Sequence, residues 1–173
     1  MKRKVFMSLF VLICTISVSA QQAVYNYYPR IVMGSSVEQV KQKMKGLSGY
    51  KFDSETNISG LHFITYVRSN GTQMLLHFDS KGKLTSMDGD NVSATEFKNT
   101  INQLKQELKS AGKDDEGIYV ENSSLGQICH LFDLSGTNVA LFMLTQSFIT
   151  GGYNYSIKVI DKGLKEQYIK DAK

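Results

Sequence analysis

LHFITYVRSNGTQMLLHFD, residues 61–79, is the stretch on which the fold turns. Asn70-Gly71 lies between two runs in which apolar and polar side chains alternate. That combination predicts a β-hairpin closed by a two-residue type I′ turn. In that register Leu61, Phe63, Thr65 and Val67 share a face with Met74, Leu76 and Phe78, and this is the face to be buried. The other face carries His62, Ile64, Tyr66 and Arg68 on one strand and Gln73, Leu75, His77 and Asp79 on the next. His62 is then opposite Asp79 and diagonal to His77, within reach across a strand pair.

Upstream, Ser36-Val37-Glu38-Gln39 reads as a capping box. Val37, Val40, Met44 and Leu47 follow at helical spacing, with Gly46 as a stop. Strands are predicted at Tyr50–Phe52, Leu61–Arg68, Thr72–Phe78 and Lys83–Met87. The order then recurs. Ser93-Ala94-Thr95-Glu96 is a second capping box, and Phe97, Ile101, Leu104, Leu108 and Ala111 form the apolar stripe of a second helix, stopped at Gly112. Four more strands follow, at Ile118–Glu121, Gln127–Asp133, Asn138–Phe148 and Tyr153–Ile160. SNGTQMLLHF also lies over LSGTNVALFM, with Gly71-Thr72 on Gly136-Thr137. The expected fold is α+β: two tandem α-β-β-β-β repeats forming an antiparallel sheet with helices packed on one face.

Reading Ser135-Gly136 as the second hairpin's turn places Ile128, His130 and Phe132 with Val139, Leu141 and Met143 under the helices. Gln127, Cys129, Leu131 and Asp133 then join Asn138, Ala140, Phe142 and Leu144 on the free face. A contiguous open face is expected to carry Tyr66, Leu75, Leu131, Phe142 and Leu144, and large exposed apolar patches mark binding surfaces. The alternative is that the aromatic arm AVYNYYPRIVM, or a C-terminal helix, covers it.

The chain ends and composition set the compartment. Lys2, Arg3 and Lys4 precede an apolar run from Val5 to Val18, and Val18-Ser19-Ala20 supplies small residues for cleavage after Ala20. Residues 1–20 therefore read as a signal peptide, 21–92 as the arm and first repeat, and 93–173 as the second repeat and C-terminal tail. Of 20 Lys and Arg against 16 Asp and Glu, three basic residues belong to the leader. The mature chain is nearly neutral, which removes the compositional case for nucleic acid. No later segment is long enough to span a membrane. Cys14 would leave with the leader, and Cys129 alone cannot form an intrachain disulfide; its apolar strand predicts a buried small hydrophobe.

GSSVEQVKQKMKG and the repeated helix-plus-four-strand order resemble two groups of exported proteins: the β-lactamase inhibitor protein, and the SmpA/OmlA outer-membrane assembly lipoproteins. The resemblance is one of architecture. It implies an inhibitor, immunity or envelope-assembly role, and it transfers no site residue. The absent lipobox departs from the second group and the absent disulfides from the first.

The expected function is non-enzymatic: an exported, periplasmic or secreted module that binds an envelope protein or peptide on its open sheet face. The binding residues would be His62, Ile64, Tyr66, Arg68, Leu75, His77, Asp79, Leu131, Phe142 and Leu144. No cofactor is implied, and no nucleophile elbow, phosphate loop or dinucleotide fingerprint occurs. A second reading is a carrier of a small apolar ligand, in a cavity lined by Leu75, Leu131, Phe142 and Leu144. A third is a metal-dependent hydrolase using His62, His77 and Asp79. Asp88-Gly89-Asp90-Asn91 reads as a linker turn between repeats, its glycine being misplaced for a calcium loop.

Overall fold

The computed structural model describes residues 21–147 and 151–171. The predicted leader and Phe148, the expected end of the seventh strand, lie outside them. The elements are α1 (Gln22–Tyr25), α2 (Val37–Lys45), β1 (Tyr50–Ile58), β2 (Leu61–Arg68), β3 (Gln73–Phe78), β4 (Leu84–Gly89), α3 (Ala94–Ser110), β5 (Ile118–Asn122), β6 (Gln127–Asp133), β7 (Asn138–Gln146), β8 (Tyr153–Asp161) and α4 (Lys162–Asp171). The fold is α+β, with the α-β-β-β-β order occurring twice.

Both main helices begin where their caps dictate. Ser36 accepts from the Gln39 N–H while the Gln39 side chain accepts from the Ser36 N–H, closing the box reciprocally. Ser93 likewise accepts from the Glu96 N–H. The Glu96 carboxylate does not reach back; it accepts from the Tyr27 hydroxyl at 2.8 Å instead. β1 runs to Ile58, well past the expected Phe52, with a register shift between Phe52 and Ser54. Nothing in its polar sequence, KFDSETN, carries the alternation that marks a half-buried strand, because almost all of it is exposed.

The eight strands form one antiparallel sheet in the order β1-β2-β3-β4-β8-β7-β6-β5. The two repeats meet where Ser86, Met87 and Asp88 of β4 pair with Ile160, Val159 and Lys158 of β8. Their helices pack on one face and share a core. Val40 and Met44 of α2, Leu104 and Leu108 of α3, and Ile64, Leu76, Phe132 and Phe142 of the sheet all belong to it.

The hairpins differ from the expected register by one residue. Arg68 pairs with Thr72 around a three-residue loop, the Arg68 N–H donating to the Thr72 carbonyl at 2.8 Å and the Gly71 N–H to the Arg68 carbonyl at 2.9 Å. A type I′ turn needs positive φ at both central residues. Only Gly71 has it, at +84°, as in the three-residue hairpin that ends in a left-handed glycine. Ile64 therefore faces Leu76, and Tyr66 faces Met74. The second hairpin does the same: the Leu134 N–H donates to the Asn138 carbonyl, and Phe132 faces Ala140.

A slip of one residue moves one strand's whole side-chain set to the other face. In the first hairpin β2 is inverted: Ile64 and Tyr66 are buried under the helices, and Phe63, Thr65 and Val67 point away. In the second β7 is inverted: Ala140 and Phe142 face α3, while Val139 and Leu141 face away.

The arm and the C-terminal helix take opposite faces. The arm lies on the helix side, where Ala23, Val24, Tyr28, Ile31 and Met33 enter the main core. Asn138 holds it there: its Oδ1 accepts from the Met33 N–H at 2.8 Å, and its Nδ2 donates to the Ile31 carbonyl at 2.8 Å and the Tyr25 hydroxyl at 3.1 Å. On the other face α4 brings Leu164, Tyr168 and Ile169 onto Val120, Cys129, Leu131, Val139, Leu141 and Ile160. The sheet's second half is thus covered on both sides. Cys129 is buried as expected, and burial pushes its thiol up to about 11.

Candidate functional site

The residues expected on one open face are divided between the two faces. His62, Ile64, Tyr66 and Arg68 turn toward the helices, with Ile64 fully buried and Tyr66 nearly so. Leu75 and His77 remain on the other face, beside Phe63 and Val67. Asp79 lies beyond the end of β3, where its Oδ1 accepts from the Lys81 N–H at 2.9 Å and the Lys83 N–H at 2.8 Å. Phe142 and Leu144 pack on the helix side, and Leu131 is buried beneath α4. The physical reason is the single extra loop residue in each hairpin.

This geometry removes two of the expected constellations. Leu75 and Leu131 point away from Phe142 and Leu144, so the four cannot line one cavity. His62 and His77 lie on opposite faces, so they cannot share a metal with Asp79. Among the described residues no group of three or more His, Cys, Asp or Glu is placed to hold a metal ion. His62 instead contacts Glu55 at 2.7 Å, and Lys41 of α2 binds the other Glu55 oxygen at 2.7 Å. Lys41, with His62 assisting, holds the Glu55 carboxyl below the usual range. His130 sits half-buried on the helix side, 4.3 Å from the Phe132 ring centroid, with Nε2 on the Glu116 carbonyl.

On the half of the far face that no described helix covers, Phe63 and His77 meet edge to face with ring centroids 5.0 Å apart. His77 Nε2 lies 3.3 Å from Asp88 Oδ2, and Lys158 donates to the same oxygen at 2.9 Å. The His77 contact lacks hydrogen-bond alignment, so Lys158 is the firmer partner. Burial alone would raise the Asp88 carboxyl, but His77 and Lys158 outweigh it and hold it below the ordinary range. A carboxyl whose folded pKa is depressed stabilises the fold fully above its unfolded pKa, about 4, and loses that contribution as pH falls through the folded value. Asp88→Asn should therefore flatten the acid limb of a plot of Tm against pH. An acid limb identical to the wild type would show that Asp88 does not drive it.

Arg68 ends β2 on the helix side and opens into a cleft of about 520 Å³. Tyr27 and Tyr28 of the arm, Tyr50 of β1, Asn70 of the hairpin loop, and Asp90 and Asn91 of the inter-repeat turn line it. The Arg68 guanidinium lies 5.4 Å from the Tyr28 ring centroid, a cation–π contact. Its Nε and Nη2 are shielded from water and meet no well-aligned acceptor, although the Tyr28 hydroxyl stands close to the guanidinium. No carboxylate lies within ion-pair distance of it among the described residues. Gly89 makes room for the group: a Cβ there would stand 2.9 Å from Nη2 and 3.0 Å from the Tyr28 hydroxyl.

The tyrosines are neutral donors. Burial, with Asp88 adding to it, pushes the Tyr28 phenol well above its ordinary value, and its hydroxyl donates to the Ile157 carbonyl. Burial also raises Tyr27 and Tyr50. The cleft can hold an anion on the guanidinium and present phenol and amide groups to whatever carries that anion. A second cleft, lined by Leu75, Asp88, Met143 and Lys158 among others, shares Gly89, Asp90 and Asn91 with the first. The two meet at the end of the sheet.

The fold is a two-repeat α+β architecture with an arginine-lined cleft at one end of its sheet. Comparison with models of protein families, with curated proteins and with solved structures returns no match. Among the cleft residues only Arg68 was singled out by the sequence pattern as part of a site. Tyr27, Tyr28 and Tyr50 are far from it in the chain, and only the packed arm brings the first two to it. DGDN, residues 88–91, did have a visible signal as a turn-rich junction.

Proposed function

We propose that the protein is an exported, non-enzymatic recognition module that binds a carboxylate-bearing peptide or protein segment in the Arg68 cleft. The observation that carries this is the half-buried Arg68 guanidinium at the cleft, which has no carboxylate partner and no aligned acceptor for Nε or Nη2 among the described residues. Such a group costs stability unless an anion completes it. A guanidinium matches a carboxylate with two parallel hydrogen bonds. Asp90 and Glu96 line the same cleft, which disfavours a polyanion and suits a single carboxylate flanked by amides. The junction with the Leu75 cleft gives an extended segment somewhere to continue, onto the half-face that no described helix covers. Export is supported by Lys2-Arg3-Lys4, the apolar run and Val18-Ser19-Ala20. An inhibitor, immunity or envelope-assembly role fits such a module, as the architectural resemblance implies.

The test is a peptide array probed with wild type and Arg68→Gln. Peptides retained by the wild type should contain a carboxylate whose amidation weakens binding, and Arg68→Gln should lose them by about 1.5–3 kcal/mol, the worth of a hydrogen bond to a charged group. Arg68→Gln should also be about as stable as the wild type without ligand, because the loss of the Tyr28 cation–π contact is offset by removal of a half-buried charge that has no ion-pair partner. Retention of the same peptides by the variant at equal affinity would reject the cleft as the site.

A further inference from the structure

Gln21, the residue that cleavage after Ala20 would make the first, is not a solvated end. It is 1% exposed. Its backbone N–H donates to Glu107 Oε2 of α3 at 2.7 Å, and the Ala23 N–H reaches both Glu107 oxygens at 3.2 Å. Gln103 adds a further donor to Oε1 at 3.0 Å. The pocket is therefore built around one N–H at the position of Gln21.

Two features of Gln21 are unfavourable in an unprocessed chain. Its φ is +91°, a left-handed value that crowds any non-glycine residue against the preceding carbonyl. Its side-chain Nε2 is shielded from water and has no acceptor. Cleavage removes the first problem, because the preceding carbonyl is gone. It creates another: an α-ammonium carries three N–H groups and a charge, and Glu107 is the acceptor present. A buried ammonium with unanswered donors is costly.

We propose that Gln21 is a modification site, cyclised to pyroglutamate in the mature protein. The α-amino nitrogen attacks the side-chain Cδ; the N–Cδ bond forms, the Cδ–Nε2 bond breaks, and ammonia leaves with one proton from the amine. No oxidant or second substrate is needed. The product is neutral, keeps a single N–H for Glu107 Oε2, and no longer has the unpartnered amide nitrogen. The lactam answers each unfavourable feature at once, and the open terminus answers only the backbone strain.

This rests on the export reading, and the two are separable in one experiment. The full chain is expressed with its own leader in a secreting bacterial host, purified from the exported fraction and held at neutral pH. Its intact mass is then measured, with tandem fragmentation. The expected mass is that of residues 21–173 less one ammonia, with the loss located on Gln21. Residues 21–173 at full mass would uphold processing and overturn cyclisation, as would an ammonia loss located on another residue. An unprocessed chain, or a different first residue, would overturn both.

Discussion

Phe142→Ala should lower the stability of the protein by about 3–5 kcal/mol, the usual cost of removing a fully buried aromatic ring and leaving its cavity. Phe142 is completely buried in the face beneath α3. Its ring meets Phe97 of α3 edge to face at 5.4 Å and Phe132 of β6 at 5.8 Å. It is therefore the joint between helix and sheet in the second repeat, and edge-to-face pairs add to the area it buries. Domains of this kind are stable by about 5–15 kcal/mol in all, so the variant should unfold at much lower urea concentration, with a fall in Tm of many degrees. Phe142→Leu, which keeps most of the volume, should lose far less. The open-face placement makes the opposite forecast, in which Phe142→Ala folds normally and only loses a partner. A loss below about 1 kcal/mol, within the range of surface substitutions and small adjustments, would contradict the packing described here.

Asn138→Leu should release the N-terminal arm. One side chain makes hydrogen bonds to the Met33 N–H, the Ile31 carbonyl and the Tyr25 hydroxyl, and it is 4% exposed. Leucine of similar size offers none of these, and it strands two backbone groups in the interior. Each stranded group costs about 1–3 kcal/mol, so a total loss of about 2–6 kcal/mol is expected if the arm stays docked. The chain has a cheaper response, which is to undock residues 21–33 and let water satisfy them. Hydrogen exchange should then rise steeply in that segment while the amides of β6 and β7 keep most of their protection. Because Tyr27 and Tyr28 travel with the arm, the Arg68 cleft should lose one wall and peptide binding should weaken in parallel. Unaltered exchange across the arm would show that other contacts hold it.

The fold was legible in this sequence because its punctuation is strong. Ser36 and Ser93, each followed by a side chain or backbone group suited to the first turn, start the two helices, and the glycines at 71 and 136 mark the hairpins. Strand register was not legible, and the reason is local. Asn70-Gly71 serves both the two-residue turn and the three-residue turn with a left-handed glycine, and the dipeptide does not say which. In β2 the pattern even favours the wrong choice. Leu61, Phe63, Thr65 and Val67 are on average more apolar than His62, Ile64, Tyr66 and Arg68, yet the second set faces the core, with Ile64 and Tyr66 buried. Its polar members lie toward the strand ends, where His62 reaches Glu55 and Arg68 reaches the cleft. Alternation identifies a two-faced strand, but it cannot choose the inward face when both sets contain apolar residues. The cleft was illegible for a different reason: its walls come from the arm, the first hairpin and the inter-repeat turn, which only tertiary packing assembles.

The seam between β4 and β8 has an implication for origin. These are the corresponding last strands of the two repeats, and they run antiparallel, so the sheet reads 1-2-3-4 and then the same series backwards. The halves are related by an approximate two-fold axis through that seam, the symmetry of a self-complementary dimer interface. A single repeat carrying this fourth strand would have matched a second copy of itself, edge to edge. Joining two copies in one chain seals both of those edges permanently. It also leaves each half free to differ, and the halves do: one sheet half is closed over by α4, and no described helix covers the far face of the other, next to the arginine cleft.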